Sequence, residues 1–265
     1  MVEARKPVAA GVFYPAEPEL LSRTVLALLE AAPPASRPGR ARFPRAIVVP
    51  HGLLGLEGTV AAAAWSRVAP HAARFKRVVL VGPSHHALFA GVAAPFVDSF
   101  ATPLGTVEVD RIAIETARRF PQFLLSDEPH EQEPSLEVQL PFVQTLLPGV
   151  TIVPLVVGEG DDGEAAEVLA SLWDDASLLV VSTDLSHYHD ASTAERLDLA
   201  TARAIDALDA AKIQEDQACG HAALRALLVV ARSRALRATR LELRHSGETS
   251  GDLGEVIGFG SFAFA

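Results

Sequence analysis

One cysteine, Cys219, stands in a chain of 265 residues, which excludes an intrachain disulfide. The fold must hold by packing, and a reducing cytosol is its expected home. Basic residues are also scarce: 23 Lys and Arg against 33 Asp and Glu give a formal net charge of −10. Binding along nucleic acid depends on Lys and Arg neutralising phosphates, so nucleic acid is not an expected partner, although the balance does not exclude a local basic pocket. No unbroken apolar run approaches the roughly 20 residues that span a bilayer. The opening MVEARKPVAAGVFYP has no apolar signal-peptide core. Repeats of fixed period and low-complexity segments are missing too. These absences describe a soluble cytoplasmic protein with no membrane partner.

What is present is an ordinary globular balance, 49 % apolar and 21 % charged, with enough chain for a sizeable core. Ala46–Val49, Val78–Val81, Thr151–Val157 and Leu178–Val181 are short, largely β-branched runs that read as strands buried on both faces. Further strands are expected at Gly91–Val97, Ala238–Arg244 and Glu255–Ala265, with a short strand or extended lead-in at Val8–Tyr14. A helix opens at Glu17-Pro18-Glu19, where acidic residues and a first-turn proline suit the positive end of the dipole. Others are expected at Thr59–Val68, Val109–Phe120, Ser135–Leu147 with Ser135 as its cap, Glu164–Trp173, Ala194–Ala207 and Gly220–Ser233. Ala32–Pro44 reads as a linker too short to separate domains, Ser126–Pro134 as an acidic loop and His245–Asp252 as a polar loop. Strands alternating with helices predict an α/β fold: a single α/β/α layered domain over residues 1–265.

Three of the strands lead to histidine. AIVVP ends on His51, RVVLVGPS on His85, and LLVVSTDLS on His187. In an open parallel sheet the carboxyl edge is where ligands bind, and a neutral imidazole is the commonest metal ligand. His51 and His85, each within two residues of a proline at a strand end, are the leading pair; the bland alternative is that they bond loop backbone. His86 is expected to point away from its neighbour. Cys219 precedes a helix whose dipole would lower its pKa and favour the thiolate, against the commoner role of a small buried hydrophobe. Asp184 is placed to hold an imidazole of His187 or His189, or else to cap a turn beside exposed histidines. Glu131, Glu133 and Glu137 read as a solvated acidic face, with Glu137 the one most apt to point inward.

AGVFYPAEPEL, AIVVPH, RVVLVGPSHH, TPLGTVEVD, SLEVQLPF, IVPLVVG, STDLSHYH, ACG and HSGETSGD, in that order, resemble the Memo family, whose prokaryotic members are often called AmmeMemoRadiSam system protein B. The resemblance covers nearly the whole chain. It implies a mostly buried mixed sheet similar in fold to class III extradiol dioxygenases, whose iron(II) sits on two histidines and a glutamate. Carried over, it implies His51 and His85 as metal ligands, Cys219 in place of the glutamate, His187 as the acid/base histidine and Asp184 as its neighbour. Iron(II) is the expected metal, with copper or zinc as alternatives, since a thiolate softens the site. The chain departs from the family's usual HAGY by carrying Leu54, and carries Pro134 where a histidine is common; both changes are expected to strip polar groups from the pocket wall.

The expected function is therefore a metal-dependent redox enzyme acting on a small molecule, an aromatic one among the candidates. The alternative is a non-catalytic module that keeps the cleft and binds a peptide, with AMMECR-domain and radical SAM proteins as implied partners. A zinc hydrolase ranks third, because no HExxH helix is present.

Overall fold

The computed structural model describes residues 4–33 and 42–265. β1 (Ala4–Arg5) and α1 (Pro18–Ala31) precede β2 (Ala46–Val49) and α2 (Leu54–Val68). Then come β3 (Arg77–Pro83), β4 (Val92–Ala94), the hairpin of β5 (Ser99–Thr102) and β6 (Gly105–Glu108), α3 (Arg111–Ala117) and β7 (Phe123–Leu125). Three short helices, α4 (Glu128–Glu131), α5 (Pro134–Glu137) and α6 (Leu140–Leu146), lead into β8 (Thr151–Val157), α7 (Asp162–Leu172) and β9 (Ser177–Ser182). The chain finishes with β10 (His187–His189), α8 (Ala191–Asp206), α9 (His221–Ser233), β11 (Ala238–His245), α10 (Gly247–Ser250) and β12 (Val256–Phe264).

Nine strands make one mixed sheet in the order β10-β12-β2-β9-β3-β8-β4-β7, with β11 also paired to β12. A small second sheet joins β1, β5 and β6. β2, β9, β3 and β8 run parallel, and every residue of β2 and β9 is buried, as continuous apolar runs covered on both faces should be. β12 enters antiparallel beside β2. Helix α2 packs on β2 and β12, and α9 on β3 and β9 with α7 against it. The α/β architecture expected from the alternating pattern is thus present. Because β2, β9 and β3 are consecutive in the sheet, their carboxyl ends share one edge.

Several boundaries moved. β3 continues through Gly82 and Pro83, which stay in register with Val156 and Val157 of β8. Helix α2 begins at Leu54, not Thr59. The long helix expected from Ser135 is two, and its cap is Glu133, whose side chain accepts from the Ser135 N–H. Pro141 explains the break: it has no N–H to donate toward Glu137, and its ring clashes with the carbonyl four residues back. Val8–Tyr14 holds only an isolated bridge, Ala10 to Tyr14, closed by Gly11 at φ 80°. The expected polar loop after His245 contains the single helical turn α10. Most of the expected linker Ala32–Pro44 lies outside the described residues.

Candidate metal centre

β2 delivers His51, which is 4 % exposed. Its Nδ1 lies 3.1 Å from Ser182 Oγ, at the end of the neighbouring β9. That hydroxyl already donates to the Ser135 carbonyl (2.7 Å) and accepts from Gln139 Nε2 (3.1 Å). With its single hydrogen committed, it can only accept from His51, so Nδ1 carries the proton and Nε2 presents a lone pair. Cys219 Sγ lies 3.3 Å from that Nε2. Burial holds His51 below the usual imidazole range, more than nearby Asp184 raises it.

β3 delivers His85, and Glu133 fixes it. The carboxylate accepts the His85 backbone N–H at 2.8 Å and faces the ring Nδ1 at 2.9 Å, which leaves Nε2 directed away. The Ser135 N–H donates to the same carboxylate at 3.0 Å. Burial alone would raise the Glu133 carboxyl, but its bonds to His85 and Ser135 bring it down to about 2. The same hydrogen bond raises the His85 imidazole against the opposing effect of burial. Glu133 is 2 % exposed and Glu137 is fully buried, so neither belongs to a solvated face; of the three acids only Glu131 is exposed. Glu137 accepts from Arg5 (2.6 Å), the Val8 and Ala9 N–H groups (2.8 and 2.9 Å) and the Tyr14 hydroxyl, tying the start of the chain to α5.

Cys219 sits just before α9. The Gly220 N–H donates to Thr183 Oγ1 at 2.8 Å, and the Asp184 N–H points at the sulfur from 3.3 Å. A Cβ at Gly220 would meet Thr183 Cβ and Oγ1 at 2.8 Å, so only glycine lets this loop press onto the end of β9. The helix dipole was expected to lower the thiol pKa. Burial instead pushes it up, and the charge of Asp184 adds to that. In the absence of a cation the sulfur is a thiol, placed to share its proton with His51 Nε2.

One ligand atom each from His51, His85 and Cys219 can be chosen so that all three lie within 4.8 Å of one another. The two imidazole rings stand 5.3 Å apart at 84°. Asp184 is adjacent: it accepts the His51 backbone N–H at 2.8 Å, and its other oxygen is 4.0 Å from His51 Nε2. It does not hold His187, as expected from STDLSHYH. His187 Nδ1 instead donates to the Leu185 carbonyl at 2.7 Å, which leaves Nε2 as an acceptor. Tyr188 takes the left-handed conformation at φ 59°, and the pairing with β12 shifts register between His187 and His189. His86 is exposed, its ring 6.5 Å from that of His85.

Glu57 was not anticipated. It lies in the first turn of α2, fully buried, with both carboxyl oxygens lacking a hydrogen-bond partner among the described residues. Burial raises its carboxyl well above the ordinary range, and the neighbouring charge of Asp184 raises it further. Starting the helix at Leu54 would have turned Glu57 toward the sheet and exposed the signal. Leu54 belongs to the core, and Pro134 opens α5. A cavity of about 500 Å³ reaches Cys219 from outside, between Ser84, Leu88 and Phe89 on one side and Glu159, His221 and Arg225 on the other.

Residues 5–263 match the model of the Memo-like protein family. A MEMO1 family protein of Methanobrevibacter smithii is 30 % identical over 98 % of this chain and 99 % of its own length. One from Thermotoga maritima is 32 % identical over 96 % of this chain and 97 % of its own. Among solved structures, an uncharacterized protein of Escherichia coli K12 superposes with a TM-score of 0.56 at 15 % identity, covering 84 % of this chain and 99 % of that one. That likeness is one of fold alone. The chain belongs to the Memo-like family, a membership that supports an extradiol-dioxygenase-like fold.

Proposed function

We propose that His51, His85 and Cys219 hold one iron(II) ion and that the protein is a metal-dependent redox enzyme acting on a small, aromatic-type substrate. The observation that carries this reading is the convergence of the three ligand atoms to within 4.8 Å. Ligands about 2.1–2.3 Å from a common ion stand about 3.5 Å from each other, and the 3.3 Å between Cys219 Sγ and His51 Nε2 agrees. The donor set fits as well: two imidazoles whose far nitrogens are held by Ser182 and Glu133, and a sulfur with the Asp184 N–H aimed at it. When bound, the ion supplies Lewis acidity and a redox couple, with coordination positions open to substrate.

The chain's own residues divide the remaining work. His187, its Nδ1 proton fixed on Leu185, takes a substrate proton at Nε2. Asp184 anchors the His51 backbone, and the raised carboxyl of Glu57 opposes a second negative charge beside it. Leu88 and Phe89 give the cavity an apolar side for a ring, and Cys219, alone of the three ligands, lines it.

Metal analysis of anaerobically purified wild type and His51→Ala tests the proposal. Stoichiometric iron in wild type and at least a tenfold loss in the variant are expected; equal metal content in both overturns it. Copper or zinc in place of iron would keep the centre and replace the redox metal. The alternative, a module that binds a peptide or a partner protein, draws support from Leu54 and Pro134, which bring no polar group to the three ligands. Peptide binding unaffected by His85→Ala and Cys219→Ala, without oxygen uptake on any catechol, would favour it.

A further inference from the structure

We propose a second ligand site, for a compact diphosphate-bearing anion, in a cavity of about 510 Å³ at the end of the sheet opposite His51. Arg42, Arg67, Arg237 and Arg240 line it, with Ala265 at one side. Arg240 has an acidic neighbour, Asp206, at 3.6 Å. Arg42, Arg67 and Arg237 have no ion pair among the described residues. Among the described residues the Nε of Arg67 is buried with no hydrogen-bond partner.

Charge defines the class of ligand. Setting aside the Arg240–Asp206 pair, the three remaining guanidinium groups leave three positive charges around the hollow. Like charges gathered this closely repel one another, and a multivalent anion among them relieves that. Guanidinium forks match phosphate oxygens two at a time. The chain as a whole is acidic, at −10, so an extended polyanion crossing its surface would be repelled while a small ligand seated in the hollow is not.

The site is separate from the metal centre. Pro44, on its wall, precedes β2, whereas His51 follows that strand. Arg67 lies in the last turn of α2, whose first residue, Leu54, follows closely on His51. At 1.5 Å per residue this helix separates the two sites by about 20 Å. The backbone of Arg237 pairs with Ala265 at 2.9 and 3.1 Å, which fixes the floor between β11 and β12.

Calorimetric titration of the full chain with inorganic pyrophosphate at low salt tests this. One binding site is expected, weakened at least tenfold by Arg67→Gln and by Arg237→Gln, weakened by added salt, and unchanged in His85→Ala. Arg237 is exposed, so its variant folds as the wild type does, and an unfolding midpoint checks the Arg67 variant. Absence of binding to the wild type overturns the proposal. So does equal affinity in both arginine variants, or binding lost in His85→Ala, which would assign the anion to the metal centre.

Discussion

Glu133 grips His85 twice, through the ring Nδ1 at 2.9 Å and the backbone N–H at 2.8 Å. A carboxylate behind a ligating imidazole fixes its orientation and raises its basicity, and losing such a partner typically lowers metal affinity 10- to 100-fold. Glu133→Gln keeps the shape and removes the charge. Iron affinity, measured by competition with a chelator, should fall by about tenfold or more, with the unfolding midpoint little changed. Unaltered affinity would show that the grip on His85 is structural only.

Gly220→Ala should act on the sulfur without touching it. The added methyl would sit 2.8 Å from Thr183 Cβ and Oγ1, so the loop must lift from β9 and carry Cys219 with it. The expected cost is about 1–3 kcal/mol of stability by overpacking. The charge-transfer absorption of a thiolate bound to a metal should weaken in parallel. Full absorption with lost stability would separate the two effects.

Glu57→Gln should stabilise the protein at neutral pH. The carboxyl is raised by burial first and by Asp184 second, so the folded chain keeps a proton that the unfolded chain releases above the ordinary carboxylate pKa. Stability therefore falls with rising pH through this window, by up to about 1.4 kcal/mol per pH unit for one proton. The amide has no proton to lose. Denaturant melts at pH 5 and pH 8 should show a gain for the variant that grows with pH; a constant or negative difference would place a charged carboxylate at Glu57.

His130 sets an acid limit. Burial brings its imidazole down to about 3, and its Nε2 lies 3.1 Å from the Ala93 carbonyl. Between the ordinary imidazole pKa and about 3 the unfolded chain binds a proton that the folded chain refuses. This contribution is fully present at neutral pH and is lost as pH falls below about 6.5, at about 1.4 kcal/mol per unit. His130→Gln should flatten the stability profile between pH 4 and pH 6.

The edge of the sheet was legible in the sequence because a buried parallel strand is a local pattern, and a strand end fixes where the next polar residue must stand. AIVVPH and RVVLVGPSHH carry that information within ten residues. Glu133 and Glu57 could not be read this way. Glu133 lies in a run of acidic residues that resembles a solvated surface, and only the short helix α5, broken from α6 by Pro141, turns its carboxylate back onto β3. Glu57 becomes legible only when α2 starts at Leu54 and not at Thr59. At Cys219 burial and the charge of Asp184 raise the thiol pKa, although its place before α9 alone implies a lowering.

β12, the final strand in sequence, occupies an interior position, with β2 on one side and β11 on the other. The strand leading to His51 therefore keeps one flank bare until β12 has been synthesised. Nascent chains must hold that slot open, and a protein clipped shortly before Val256 would present it to other molecules as a ready template for aggregation.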